Sequence, residues 1–264
     1  MKTIKIFMMS GALAITTFIT TSFINLKPVY KSAINKVAAP GFAVVELYTS
    51  EGCSSCPPAD ELVAKIQKEV TDQPVYILAF HVDYWNRLGW KDVFSDAAYS
   101  KRQGDYARYL KIESVYTPQI VVNGKKEFVG SEEGTLRNAI KGALQSQPAA
   151  KIVLSDVKTM GRQATIHYDV DGNTGNTTLL FALVEKAART MVKAGENSGR
   201  ALSHVQIVRN LQSINLNKGK NGVSNVTLPN GINTGNYEII ALLQNTITGE
   251  ISAAAKTALP PVAI

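Results

Sequence analysis

Cys53 and Cys56 are the only cysteines in the 264-residue chain, and they stand in a single Cys-x-x-Cys pair. Two thiolates alone cannot close a four-ligand structural zinc site, and one pair cannot staple a disulfide-rich mini-domain. The spacing suits dithiol–disulfide exchange. A cysteine at the start of a helix is favoured as thiolate by the positive helix end, where the first amides would point at it. A second cysteine one turn on can attack a mixed disulfide from within the molecule. In this reading Cys53 attacks and Cys56 resolves. Two alternatives stand beside it: an inert structural disulfide, and a soft copper or zinc site formed by Cys53, Cys56 and His81. Glu51 and Asp60 would oppose a thiolate if they lie close, and no Lys, Arg or His adjoins the pair in sequence.

The flanking residues predict the elements that hold the pair. Val44–Thr49 reads as a short strand running into the loop Ser50-Glu51-Gly52. Pro57 and Pro58 are tolerated in a first helical turn, where amide donors lack partners. Leu62, Val63, Ile66 and Val70 then recur at helical spacing, with acids early and lysines late. Val75–Phe80 is apolar enough for a buried parallel strand. After it come His81 and Asp83, then an aromatic loop with Tyr84, Trp85, Leu88 and Trp90. A polar helix follows from about Phe94 to Leu110, with Arg102, Arg108 and Lys111 read as a solvated face. Ile120–Val122, the turn Asn123-Gly124 and Glu127–Val129 form a hairpin. A last helix runs to Leu144, with Ser131 as its cap. The order is β-α-β-α-β-β-α.

His81 and Asp83, two apart at a strand end, are expected on the same side, at the sheet edge where Cys53 begins its helix. His81 then either exchanges protons with the thiols or is a buried imidazole satisfied by Asp83 that orients the Trp85 loop. That loop is either a substrate platform or a lid over the sheet edge.

Pro148 marks the expected boundary between a domain spanning 40–147 and a β-rich, sandwich-like domain spanning 148–264, where short strand-like runs alternate with Gly and Asn turns. There His167 is expected to face solvent, His204 to serve packing, and Gly195, Gly199, Gly219 and Gly222 to be scattered turn residues. No phosphate loop, dinucleotide fingerprint or serine elbow is present. No cofactor is expected, so electrons must come from a protein or small-molecule thiol or disulfide partner.

Residues 1–39 carry five lysines and no acid. Lys2 and Lys5 precede an apolar stretch from Ile6 to Ile19, the pattern of an export signal, followed by a tether. The expected location is the periplasm or outside the cell, with residues 4–26 as a possible uncleaved anchor and the sole membrane contact. From Pro40 onward 23 basic residues face 21 acidic ones. The net charge of +7 therefore gives no ground for a nucleic-acid partner. The oligomeric state is not encoded legibly.

Strand–Cys53-Ser54-Ser55-Cys56–helix, followed some 60 residues on by Thr117-Pro118 before a hairpin, resembles the thioredoxin superfamily. The resemblance implies an α/β thioredoxin-like domain followed by the all-β, sandwich-like one. It also implies a cis Thr117–Pro118 bond facing the dithiol, with the Thr117 backbone near Cys53 and free to pair with an extended substrate. Glu46 to Asp60, Phe80 to Trp85, Leu88 to Asp92, Arg102-Gln103 and Val115 to Gln119 are similar to the signature of a narrower group. This is the bacterial exported thioredoxin-like family known as domain of unknown function 1223. Ser203-His204 through Val208-Arg209 resembles its second motif. The expected activity is an extracytoplasmic thiol–disulfide oxidoreductase with Cys53, Cys56 and Pro118 at its centre, supported by Thr117, His81, Asp83 and Trp85.

Overall fold

The computed structural model describes residues 41–216 and 219–263. The export signal expected within residues 1–39 lies outside them. Among the described residues no helix is long and apolar enough to cross a membrane.

The first half alternates as its periodicity predicts: β1 (Ala43–Thr49), α1 (Pro57–Glu69), β2 (Val75–His81), α2 (Ala97–Leu110), β3 (Gln119–Val122), β4 (Lys126–Val129) and α3 (Glu133–Gln145). β1 and β2 are parallel, while β3 returns antiparallel to β1 and β4 antiparallel to β3. Asn123 and Gly124 turn the hairpin with φ of 49° and 66°, the left-handed pair a tight two-residue turn demands. Asn123 also locks the turn to the start of β1: its side chain accepts from Val44 N and donates to the Phe42 carbonyl.

Two helix starts differ from expectation. α2 begins at Ala97 because the Asp96 side chain accepts from Ala98 N and caps it there. α3 has Glu132 at its N-cap, without a side-chain cap, so Ser131 stands outside the helix.

The second half supplies β5 (Ala150–Met160), β6 (Gln163–Gly172), β7 (Thr177–Met191), β8 (Ala201–Asn215), β9 (Asn221–Thr227), β10 (Tyr237–Asn245) and β11 (Ile251–Ala258). Four of these strands extend the first sheet, in the order β11-β10-β7-β8-β2-β1-β3-β4, while β5-β6-β9 form a second sheet. The join is parallel, with Ala79 of β2 opposite Ile207 of β8. The large sheet thus runs across the expected boundary at Pro148. The architecture is mixed α/β: one eight-stranded sheet, three helices and a smaller sheet among the described residues.

Alternation along the strands explains the layers. On one face Val44, Tyr48, Leu78 and Phe80 pack with Tyr99 and Tyr106 of α2, and Leu180, Ala182, Ile240 and Leu242 continue that core. On the other face Val45, Leu47 and Ile77 meet Leu62, Ile66, Leu136 and Ile140 of α1 and α3. The opposite phase of β7 and β10, with Leu179, Phe181, Leu183 and Ile239, packs on Ile152, Ile166 and Val226 of the small sheet. A strand buried on both faces needs apolar residues in both phases, which is why these runs do not alternate. β6 does alternate: Ala164, Ile166, Tyr168 and Val170 are buried, and His167 faces solvent as expected.

Buried within the first core is a polar network. Arg102 binds both carboxylate oxygens of Glu46, through Nε at 2.7 Å and Nη2 at 2.9 Å. Its Nη1 donates to Gln244, and its guanidinium lies over the Phe80 and Tyr106 rings. This corrects the reading of Arg102 as solvated; Arg108 and Lys111 are exposed. A guanidinium held on a carboxylate in an apolar layer requires this full set of partners.

Candidate active site at the Cys53–Cys56 disulfide

β1 ends at Thr49, and the loop Ser50–Gly52 delivers Cys53 to the head of α1. Cys53 and Cys56 are joined in a disulfide, and both are fully buried, whereas Ser54 and Ser55 between them are exposed. Cys56 is the N-cap of α1, with prolines in the next two positions. The local amides differ from expectation. Pro57 and Pro58 carry no N–H, and those of Ala59 and Asp60 donate to the Cys56 carbonyl. The Cys56 amide bonds to the Cys53 carbonyl, leaving Ser55 Oγ, 3.4 Å from Cys53 Sγ, as the polar group on the sulfur.

The Thr117–Pro118 bond is cis, as the resemblance implies, and Pro118 is buried. Gly130 seats it: a Cβ there would stand 3.0 Å from Pro118 Cβ and 3.1 Å from Ala59 Cβ in the first turn of α1, so the bare glycine leaves room for both. Gln103, also buried, donates to the Tyr116 carbonyl and to Gln119 and accepts from Tyr84. Trp85 joins the two segments. Its Nε1 donates to Thr117 Oγ1 at 2.8 Å, and its Cβ lies 3.1 Å from where a Gly52 Cβ would stand.

The tip of the β7–β8 hairpin is hydrogen-bonded to the loop that carries Cys53. Asn197 Nδ2 donates to the carbonyls of Glu51 and Cys53, both at 2.9 Å, and Glu196 accepts from Ser54 N at 3.0 Å. Gly195 and Gly199 bracket these residues with φ of 75° and 81°, a backbone that side chains disfavour. Trp90 donates to Glu51 Oε2 at 2.7 Å, and Thr190 donates to the other oxygen.

Next to the disulfide loop lies a buried layer of imidazoles and carboxylates. His81 Nδ1 meets Asp92 Oδ2 at 2.7 Å, and Asp92 also accepts from the backbone amides of Glu51 and Phe94. His204 of β8 stands edge-on to His81, with ring centroids 4.7 Å apart. Its Nδ1 lies 3.2 Å from Asp60 Oδ1 and its Nε2 3.6 Å from Glu51 Oε1. Burial alone would push His204 down; the Asp60 and Glu51 carboxylates on either side more than reverse this and lift it to about 10. Burial likewise works to raise Glu51 and Asp92. Bonds from His204 and Thr190 hold Glu51 below the usual carboxylate range, and His81 with the two amides does the same for Asp92. One ligand atom each from Asp60, His81 and His204 lies within 4.8 Å of the others, a set that could hold a metal ion.

A family model described as "Protein of unknown function (DUF1223)" matches residues 44–244. The chain belongs to the DUF1223 family. It is also similar to the X-ray crystal structure of protein AGR_C_4864 from Agrobacterium tumefaciens, with 26% identity over 86% of this chain and 99% of that one, at a TM-score of 0.61. A search of the curated proteins found no match.

In this DUF1223 protein the candidate residues are sorted by contact. Cys53, Cys56, Pro118, Thr117 and Trp85 gather at the start of α1. His81 turns to Asp92 instead of Asp83, because β2 ends at His81 and the strand alternation stops there. Asp83 pairs with Ser100 on α2. A soft site from Cys53, Cys56 and His81 would need the reduced pair, since the sulfurs are bonded to each other. Sequence reading missed Asn197 and Glu196, had Asp92 only within a motif and not as the partner of His81, and gave His204 a packing role without its carboxylate partners. The available signal was Gly195 and Gly199 flanking three polar residues shortly before the Ser203-His204 motif.

Proposed function

We propose that this DUF1223 protein is an exported thiol–disulfide oxidoreductase of thioredoxin-like fold, acting on protein or small-molecule partners. The observation that carries the reading is the Cys53–Cys56 disulfide at the head of α1, tied through Trp85 to the cis Thr117–Pro118 segment. The strand order β2-β1-β3-β4, with one parallel pair and two antiparallel ones, supports the thioredoxin likeness. The basic and apolar pattern of residues 1–39 supports export.

In the reducing direction Cys53 thiolate attacks one sulfur of the partner's disulfide. A mixed disulfide forms, and the partner's other sulfur leaves as a thiolate that takes a proton from water. Cys56 thiolate then attacks Cys53 Sγ, restoring Cys53–Cys56 and releasing the partner's second thiol. Two electrons pass from the pair to the partner; oxidation of a partner dithiol is the reverse. Both directions require the buried sulfurs to become accessible, and the 192–200 loop bonded to the Cys53 backbone is the element proposed to lift.

A second reading, a redox-silent protein with a structural disulfide, is favoured by the complete burial of both cysteines. Cys56→Ala separates the two. Exchange predicts that Cys53 in this variant accumulates mixed disulfides with discrete partners in its own compartment, and that these vanish in the Cys53→Ser/Cys56→Ala double variant. A midpoint potential below about −300 mV with no trapped partner supports the structural reading.

A further inference from the structure

We propose that Asp60, His81 and His204 bind one first-row divalent cation of the Zn2+ kind. The three residues come from α1, β2 and β8, far apart in sequence, and all are buried. His204 Nδ1 and Asp60 Oδ1 are already 3.2 Å apart, and the three ligand atoms all lie within 4.8 Å of one another. A tetrahedral ion with bonds of about 2.0–2.2 Å spaces its ligand atoms roughly 3.3–3.6 Å apart. The set closes on such an ion by moving about an ångström.

The orphaned nitrogen points the same way. His81 Nε2 is fully buried with no hydrogen-bond partner among the described residues. A metal-ligating histidine characteristically gives its other nitrogen to a carboxylate, which fixes the ring and its tautomer. Asp92 holds His81 Nδ1 in that manner, and Glu51 faces His204 Nε2. The third ligand is oriented too, since Thr49 Oγ1 donates to Asp60 Oδ2 at 2.9 Å. His81 and Asp60 therefore each have an outer hydrogen-bond partner, while His204 Nε2 stands 3.6 Å from Glu51 without a hydrogen bond.

Donor chemistry narrows the ion. Two imidazoles and a carboxylate suit Zn2+ or Co2+, are too hard for Cu(I), and are too nitrogen-rich for Ca2+ or Mg2+. Three buried carboxylates (Glu51, Asp60 and Asp92) outnumber the two imidazoles, so the layer attracts a cation.

The site uses no sulfur and is independent of the exchange reading, so it is tested on the full chain with its disulfide oxidised. Zn2+ is added to the folded protein and, separately, during refolding, and retained metal is measured after desalting. The expected result is one Zn2+ per chain, in the wild type and in Cys53→Ser/Cys56→Ser alike. The melting temperature rises by roughly 5–10 °C at a hundredfold excess over the dissociation constant. Co2+ gives ligand-field bands without a sulfur-to-cobalt charge-transfer band. His81→Gln and Asp60→Asn lose the ion. If either variant fails to fold, the wild-type metal content and cobalt spectrum decide. No retained metal, retention at wild-type level in folded His81→Gln, or a sulfur charge-transfer band overturns the proposal.

Discussion

Asn197 holds the Cys53 carbonyl through its side-chain amide at 2.9 Å, across 144 positions of sequence. The same nitrogen reaches the Glu51 carbonyl, and Arg200 Nη1 fixes the amide by donating to Asn197 Oδ1 at 2.7 Å. A single side chain from the second half of the chain thus clamps the loop that carries the disulfide. Under the proposed exchange reading, access to the sulfurs requires this clamp to open, a local equilibrium separate from global unfolding.

Asn197→Ala removes the two hydrogen bonds that cross to the Cys53 loop, each worth about 1 kcal/mol net. Opening of the 192–200 loop should become roughly 10–100-fold more frequent, and reduction of the disulfide by dithiothreitol should accelerate by the same factor. Stopped-flow reduction of both proteins checks this. An unchanged rate would place the barrier elsewhere.

Arg102→Met strands the Glu46 carboxylate in an apolar layer. Breaking one partner of a buried ion pair costs about 3–5 kcal/mol, so the melting temperature should fall by roughly 6–20 °C. The double variant Glu46→Leu/Arg102→Met should recover much of that loss, because it buries no unpaired charge. Calorimetry on the three proteins checks the ordering.

Gly130→Ala places a methyl group 3.0 Å from Pro118 Cβ, 3.1 Å from Ala59 Cβ and 3.2 Å from Leu47 Cδ1. Pro118 Cβ and Ala59 Cβ are fixed to the backbone and Leu47 is packed in the core, so the overpacking should cost about 1–3 kcal/mol. Gly134→Ala, where an added Cβ meets nothing within 4 Å, is the control and should be neutral or slightly stabilising.

Much of the first half was legible because its signals are local. The spacing of Leu62, Val63 and Ile66, the apolar run of β2 and the Asn123-Gly124 turn each name an element without tertiary help. Arg102 was misread because a helix face shows its charges whether they meet water or a buried Glu46 contributed by a strand 56 positions away. β11 went unseen: Ala253, Ala254 and Ala255 carry little strand propensity, and pairing with β10 overrides it. The strand-like runs after Pro148 were visible, but not that β8 would align beside β2, because nothing in a strand's own residues names its neighbour. The site divides likewise. Cys53, Cys56, Thr117 and Pro118 are readable as motifs, whereas Asn197 over Cys53 and His204 between Asp60 and Glu51 exist only through that strand pairing.

The most direct measurement is the reduction rate of the wild-type disulfide by dithiothreitol under native conditions, set against the rate of global unfolding from denaturant jumps. Exchange through loop opening predicts full reduction much faster than the protein unfolds, with the reduced protein still folded and able to reoxidise. A disulfide that is reduced only at the global unfolding rate would contradict it and leave Cys53–Cys56 as a structural bond.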